Sequence, residues 1–461
     1  MTRSESTDVL SLSADPTVGR PSLTFETRDG LVSTDEIRPV ERTLVELLAR
    51  TETAASDGAE LDNPRRRTLV VDGNYGVVPV ALAATGETVT VTTTSARAGA
   101  TCRANAARNG VHLDVAVVAD VRDLPTEIGS TDDERSVGGR DERDAGDGDE
   151  RDVGGRDERD AGDGDERDAG DGDPGRVFDH VVLAPHAYDP LDAVRDRLAD
   201  AVEFLAADGR VTVAGTAQSG IERYAETLDG LTDETERRAV VDGVRVYRGR
   251  GRSDQTSTTE ADDTNADTDT ETDAPTRSRY REEHEFRARV GDYECRFLTV
   301  QGLFSWESLD DGTAALVETV SVPDGARVLD CCCGYGAVGA FLGARSDITL
   351  VGTDDDAVAV AYARRNYDRN GVTPERVVVG DCLDAVSGPF DAVVSNPPTH
   401  AGDGVTQKLF AGVREVLAPD GELWLVANRI LDYDDRLREA FGFDVTVVRE
   451  VDRYDVIRAR L

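Results

Sequence analysis

Between Val393 and Gly402 the chain reads VVSNPPTHAG, an apolar run closed by an amide side chain and two prolines. Asn396 offers a side-chain carbonyl and Pro397 a backbone carbonyl. The proline rings lock φ and remove the N–H donors, so the second acceptor has a fixed direction. Two preorganised acceptors aimed at one planar amine draw on its hydrogens and raise the lone-pair density on nitrogen. Such an amine can attack an electrophilic methyl in line, in a site that favours the charge then developing. The bland alternative for Asn396 is an Asx-turn at a strand end.

Three upstream segments carry matching chemistry. In VLDCCCGYGAVG (328–339) Asp330 can take a cationic amino group, and Gly334 and Gly336 permit close backbone approach to a ligand. Taken alone this is a tight strand–helix turn. Asp354, in LVGTDDD, follows the next apolar run at a spacing that suits a ribose diol. Its alternative is a helix N-cap, a role open also to Asp355 and Asp356. Asp381, in VVVGDCLD, can accept from an adenine amine or simply form a turn. The set fits a nucleotide-like cofactor. Gly334, Gly336 and Gly339 also match the glycine spacing of nicotinamide binders, and the Asn-Pro-Pro decides against that reading.

These residues need strand ends to hold them. RVLDCC, TLVGTD, RVVVGD, DAVVSN and ELWLVAN read as strands, separated by helical stretches such as DAVAVAYARRNYDRNG, with Gly371 as a stop. Strand–helix alternation predicts a doubly wound, mostly parallel α/β sheet. In such sheets ligands sit outside the carboxyl ends of the strands.

The first half of the chain repeats this pattern. DGLVS (29–33) echoes QGLFS (301–305), NAARNGV (105–111) echoes NYDRNGV (366–372), and AADGRVTV (206–213) echoes APDGELWL (418–425). Asn105 and Asp120 precede Asn366 and Asp381 by one common offset, and Asp179 and Asp208 precede Asp391 and Asp420 by a shorter one. The break falls where RDERDAGDGDERD repeats from Arg140 and again from Arg156. The expectation is a tandem duplication. Residues 1–20 are a disordered N-terminus, and 21–250 form a degenerate first domain with a disordered acidic insertion at about 130–175. Residues 251–279 are a disordered acidic linker, and 280–461 form the domain that retains the chemistry.

The 461 residues carry 52 Lys+Arg against 92 Asp+Glu, a net charge of −40, with Lys408 the single lysine. Acidity runs through the folded segments as well as the tracts. It reads as a surface adapted to molar salt, where repulsion is screened within about 3 Å, rather than as an acidic tail for cationic partners. Six cysteines, three of them adjacent at 331–333 and none in a C-x-x-C pair, read as reduced thiols with no metal site. No apolar run is long enough for a membrane span and the start lacks a signal-peptide core, so a cytoplasmic protein is expected.

On these residues the second half resembles class I S-adenosylmethionine-dependent methyltransferases of the amine-modifying NPP group. Within that group the frame GLFSWESLDDGTAALVE, VLDCCCGYGAVG, VVSNPPTHAG, LAPDGELWLVANR is similar to the small-subunit rRNA guanine methyltransferases, which make N(2)-methylguanine. The resemblance implies two tandem Rossmann-like domains, the first inactive, and S-adenosyl-L-methionine as cofactor. It implies that Asp330, Gly334, Gly336, Asp354 and Asp381 hold that cofactor, and that Asn396, Pro397 and Pro398 form the catalytic turn. The implied partner is rRNA or the assembled small subunit, met by a monomer. Rival substrates are an adenine amine in DNA or RNA, a tRNA guanine, or a protein glutamine. A rival class is an inert RNA-binding assembly factor.

Two departures stand out. Cys332 takes the place of the family's first glycine, and Thr399 that of an aromatic which stacks on a flipped base. Thr399, His400 and Phe304 are the residues expected to hold the target, with stacking supplied by Phe304 or Trp306. The first copy reads as having lost its chemistry. Asp72 keeps the strand-end acid before a glycine loop shorter by two residues, Thr replaces Asp354, and Ala184 replaces Asn396. Its expected roles are to stabilise the second copy or to orient RNA through Arg65–Arg67 and Arg237–Arg238.

Overall fold

The computed structural model describes residues 8–14, 21–53, 65–124, 178–252, 280–399 and 401–461. His400, the acidic insertion and nearly all of the acidic linker lie outside the described residues.

The first half contains β1 (Asp8–Leu12), β2 (Leu23–Thr27), α1 (Pro39–Thr53), β3 (Arg67–Val71), α2 (Val77–Ala84), β4 (Thr88–Thr93) and α3 (Ala96–Arg108). It continues with β5 (Asp114–Val117), β6 (Phe178–Leu183), α4 (Leu191–Glu203), β7 (Leu205–Gly215), α5 (Ile221–Leu231), β8 (Glu234–Val241) and β9 (Val244–Arg250). The second half contains β10 (Glu283–Val290), β11 (Tyr293–Val300), α6 (Asp311–Thr319), β12 (Arg327–Cys331), α7 (Ala337–Arg345), β13 (Thr349–Asp354) and α8 (Ala357–Arg369). It ends with β14 (Arg376–Val379), β15 (Phe390–Ser395), α9 (Asp403–Val416), β16 (Leu417–Asn428), α10 (Tyr433–Phe441), β17 (Asp444–Val451) and β18 (Tyr454–Arg460).

Each half builds a seven-stranded sheet of the same order: β5-β4-β3-β6-β7-β9-β8 in the first and β14-β13-β12-β15-β16-β18-β17 in the second. Five strands of each are parallel, and the last two pair antiparallel. The apolar strands are buried on both faces, as parallel strands under crossover helices must be. Val328, Leu329, Leu350, Val351, Val393 and Val394 are all fully buried. The expected α/β class holds for both halves.

The duplication extends to buried polar detail. Asn105 donates to the carbonyls of Tyr75 and Glu26 at 2.8 and 2.9 Å, and accepts from Glu26 N at 2.7 Å. Asn366 does the same with Tyr335, Leu298 and Leu298 N, at 2.8, 2.9 and 2.7 Å. Each asparagine satisfies groups that burial would otherwise leave costly, and so ties the loop after the first sheet strand to a hairpin strand.

Two expectations are corrected. Asp8–Leu12, inside the stretch expected to lack structure, pair antiparallel with Leu23–Thr27 and bury Leu12. The alternation in DVLSL is enough for a strand once a partner edge is present. The first copy's glycine loop is also not shortened. β3 ends at Val71 and Asp72 follows at φ +57°; β12 ends at Cys331 and Cys332 follows at φ +58°. Asp72 therefore matches Cys332, both loops have one length, and the counterpart of Asp330 is the buried Val70.

Candidate active site

The second sheet reverses its order between β12 and β15, the position where open α/β sheets place ligands. Asp330, Asp354, Asp381 and Asn396 lie at or just beyond the carboxyl ends of β12, β13, β14 and β15. The fold brings together all four strand ends singled out in the sequence.

Asp330 is 1% exposed. Its Oδ2 accepts from Gly339 N at 2.7 Å and from the Tyr367 hydroxyl at 2.9 Å. Its Oδ1 is buried without a hydrogen-bond partner. Burial raises its pKa from the usual 3.8 to about 7, against the lowering effect of those two donors. An anionic oxygen held dry and unpartnered suits a bound cation. Asp354 accepts from Gly334 N at 2.8 Å through Oδ2 and from Asp356 N at 3.0 Å through Oδ1, and burial raises its pKa to about 6. The helix-capping role falls to Asp356, which accepts from Val358 N at 3.0 Å, so Asp354 is not consumed as a cap.

The glycines divide by function. Gly334 has φ +54° and open space where a Cβ would stand, so what requires glycine there is the left-handed turn rather than packing. Gly336 has φ +88°, and a Cβ there would lie 2.9 Å from Tyr367 Cε1 and 3.1 Å from the Ala363 backbone. Its close approach is to α8 rather than to a ligand. Cys332 holds its left-handed φ without being glycine, a conformation that costs of order 1 kcal/mol or more.

Asn396 is half-buried, Pro397 buried, and Pro398 and Thr399 exposed. The Asn396 amide donates to Thr313 Oγ1 at 2.9 Å and to Asp310 Oδ2 at 3.3 Å. Asp310 is also the N-cap of α6, accepting from Thr313 N at 2.8 Å. With its NH₂ so engaged, Asn396 turns Oδ1 away as an acceptor. Among the described residues no group donates to Asn396 Oδ1 or to the Pro397 carbonyl. Asp310 and Thr313 were not anticipated from the sequence, although LDDGT carries the cap signal. Tyr367 was likewise missed. Phe304 is 63% exposed, on the loop before α6, and Trp306 packs edge-on against His284 at 5.5 Å. His400 lies outside the described residues.

Asp381 differs from an open acceptor. Arg97 of the first half donates to its Oδ1 at 2.6 Å, and Lys408 donates to its Oδ2 at 2.7 Å. A carboxylate has about four lone-pair sites, so each oxygen keeps one for a ligand.

The corresponding strand ends of the first half are filled by ion pairs. Arg38, at the position of Asp310, donates to Glu41 at 3.0 Å and to the Ala184 carbonyl at 3.4 Å. Glu41 stands where Thr313 does, and Ala184 where Asn396 does. Arg197 pairs with Asp72 at 2.6 Å. Thr93 occupies the place of Asp354. Arg65–Arg67 lie at the start of β3, the opposite end of the sheet from these positions. Among the described residues no helix is long and apolar enough to cross a membrane.

The order of the strands, the glycine turn after β12 and the acid that ends β13 give the second half the fold of the class I methyltransferases. Residues 294–458 match the family model of the methyltransferase small domain. The chain is 41% identical over 178 residues to ribosomal RNA small subunit methyltransferase C of Chromohalobacter salexigens, covering 36% of this chain and 53% of that one. It is also 41% identical over 149 residues to ribosomal RNA large subunit methyltransferase G of Streptomyces coelicolor, covering 31% and 40%. The chain thus spans about half the length of the curated relatives it matches. Among solved structures, the T. thermophilus 16S rRNA N2 G1207 methyltransferase in complex with AdoMet and guanosine superposes with a TM-score of 0.64 at 21% identity. That match covers 98% of both chains, so the two share the tandem arrangement of the fold.

Proposed function

We propose that this protein is an S-adenosylmethionine-dependent N-methyltransferase that modifies the exocyclic amine of a guanine in small-subunit rRNA. The observation that carries the reading is the state of Asn396. Its NH₂ is anchored to Thr313 and Asp310, which leaves Oδ1 and the Pro397 carbonyl as two acceptors for one amine. The named relatives, which methylate ribosomal RNA, support the choice of RNA over the other planar amines.

Asp330 Oδ1 suits the cationic amino group of the cofactor, Asp354 the ribose hydroxyls and Asp381 the adenine amine, with Gly334 and Gly336 shaping the turn between them. Bound there, S-adenosylmethionine supplies a methyl group on a positively charged sulfur. Asn396 and Pro397 hold the target amine by its two hydrogens and orient its lone pair. Transfer would form the nitrogen–carbon bond as the cofactor's methyl–sulfur bond breaks and leaves a neutral thioether. The positive charge that develops on nitrogen is stabilised by two carbonyl dipoles already in place, without reorganisation, and one amine hydrogen then leaves as a proton to solvent. Pro398 stiffens the turn. Thr399 leaves base stacking to the exposed Phe304 or to His400. The first domain lacks the side-chain acceptor of Asn396, which Ala184 replaces, and serves as support, with its exposed arginines as contacts to RNA phosphates.

The acid-rich surface we read as that of a monomeric cytoplasmic enzyme working in molar salt. The test is to digest RNA after reaction with labelled cofactor and identify the modified nucleoside. N(2)-methylguanine supports the reading. Label in N(6)-methyladenine, or only in a protein substrate, contradicts it.

A further inference from the structure

Three loops at the carboxyl ends of the second sheet are held by two short stretches of the first domain. The loop between β13 and α8 meets residues 94–97: Ala96 N donates to the Asp355 carbonyl at 2.9 Å, and Ala357 N to the Thr94 carbonyl at 2.8 Å. Thr94 and Asp355 are counterparts in the duplication, as are Ala96 and Ala357, so the joint is two-fold in character. Its side chains follow the two-fold only in part. Ser95 Oγ donates to the Asp355 carboxylate at 2.7 Å, and the counterpart pair, Thr94 and Asp356, is hydrogen-bonded in the same way, but Asp355 also accepts from Arg97 N at 2.8 Å.

The loop after β14 carries Asp381, and Arg97 reaches it. Both side chains are nearly dry, 3% and 7% exposed. The other arm of the guanidinium donates to the Asp29 carbonyl at 3.0 Å. The Asp29 carboxylate in turn accepts from Gly404 N at 2.7 Å, in the first turn of α9, a helix with no capping side chain of its own. Lys408, one turn further along α9, closes the circuit on Asp381 at 2.7 Å and on Asp384 at 2.6 Å. In Val358, the counterpart of Arg97 in the second copy, there is no group for the reciprocal contact. The duplication has been specialised on one side only.

We propose that Arg97 of the chemistry-less first domain is a positioning residue of the cofactor site, orienting the Asp381 carboxylate for the adenine amine while Asp29 caps the helix that follows the Asn-Pro-Pro turn. This rests on the function proposed above. A buried carboxylate flanked only by Lys408, on a flexible stem, has freedom of rotation; a planar guanidinium anchored at its far arm by a backbone carbonyl removes it. The first domain is therefore part of the site and more than a scaffold beneath it.

The test is calorimetric binding of S-adenosylmethionine, and of its analogue carrying hypoxanthine in place of adenine, to the full chain in KCl. Wild type, Arg97→Ala, Arg97→Lys, Asp381→Asn and the Arg97→Ala/Asp381→Asn double variant are compared. Loss of one charge-assisted contact predicts a Kd for the natural cofactor raised roughly tenfold to a hundredfold in Arg97→Ala. Discrimination against the analogue, which lacks the amine, shrinks in Arg97→Ala and in Asp381→Asn, and the double variant is no worse than the single ones. A lowered melting temperature with unchanged Kd and unchanged discrimination would show a purely structural joint and overturn the proposal. Should Arg97→Ala fail to fold, Arg97→Lys keeps the charge but not the double reach, and unchanged discrimination there overturns it equally. Wild type failing to bind S-adenosylmethionine at all would sink the function reading itself, a result distinct from either.

Discussion

Thr313 and Asn396 are joined by a hydrogen bond of 2.9 Å from the amide nitrogen to the hydroxyl oxygen, across 83 residues of sequence. The bond sets which end of the Asn396 amide faces the target. Without it the amide can rotate and present a donor where an acceptor is needed. Thr313→Val keeps the shape and removes the hydroxyl. We expect turnover to fall by on the order of tenfold to a hundredfold from lost orientation, with the Kd for S-adenosylmethionine unchanged. Steady-state kinetics with a parallel binding measurement checks both; an unchanged kcat would remove Thr313 from the account.

Asp330 gives a pH signature. Its folded pKa, about 7, is raised above the unfolded 3.8 by burial. The protonated carboxyl therefore contributes stability that is fully present below about 3.8 and is lost as pH rises through about 7. Asp354, raised to about 6, acts in the same direction. Relative to wild type, Asp330→Asn should gain in melting temperature in the absence of cofactor as pH rises from about 4 to about 7, the window between the unfolded and folded pKa values, and the gain should level off above it. A bound cation favours the ionised carboxylate, so wild-type cofactor affinity should rise toward neutral pH and then level off. Thermal melts and binding isotherms across pH read both effects. A gain independent of pH would contradict the assignment.

Gly336→Ala tests the packing that sets the glycine turn. The added methyl would meet Tyr367 and Ala363 at 2.9 and 3.1 Å, on a residue at φ +88°. Left-handed strain and overpacking together predict a loss of about 2–5 kcal/mol. Urea unfolding measures it, and a loss below about 1 kcal/mol would mean that α8 yields more easily than its packing implies.

A chain of net charge −40 should gain stability as salt screens its repulsion. Between about 0.1 M and about 1 M KCl the screening length falls from about 10 Å to about 3 Å. The melting temperature should climb over that interval. A flat or falling curve would point back to an acidic protein for cationic partners.

Much of this was readable in the sequence, for local reasons. Asp330, Asp354, Asp381 and Asn396 each end an apolar run, and a parallel sheet gathers such ends at one edge whatever the loops do. The duplication showed because Asn105 and Asn366 keep identical buried duties. The glycine loop was misread because an acid two residues further on, Asp72, resembles Asp330 in type; only the backbone, left-handed at Asp72 and at Cys332, sets the true register. Strand Asp8–Leu12 was missed because five residues of which only Leu12 is buried carry little periodicity. The Arg97–Asp381 pair lies 284 residues apart and follows from how two domains meet, which no local pattern encodes. The cap at Asp310 could be read from LDDGT, but its second use on Asn396 could not.

The most direct measurement is methyl transfer from labelled S-adenosylmethionine in about 1 M KCl, where screening is near its limit. Assembled small subunits and naked small-subunit RNA are supplied as separate acceptors to wild type and Asn396→Ala. The account predicts N(2)-methylguanine with wild type on at least one acceptor and its loss in Asn396→Ala, with cofactor binding retained in both. Equal methylation by the two proteins, or none by a wild type that binds cofactor, would contradict it.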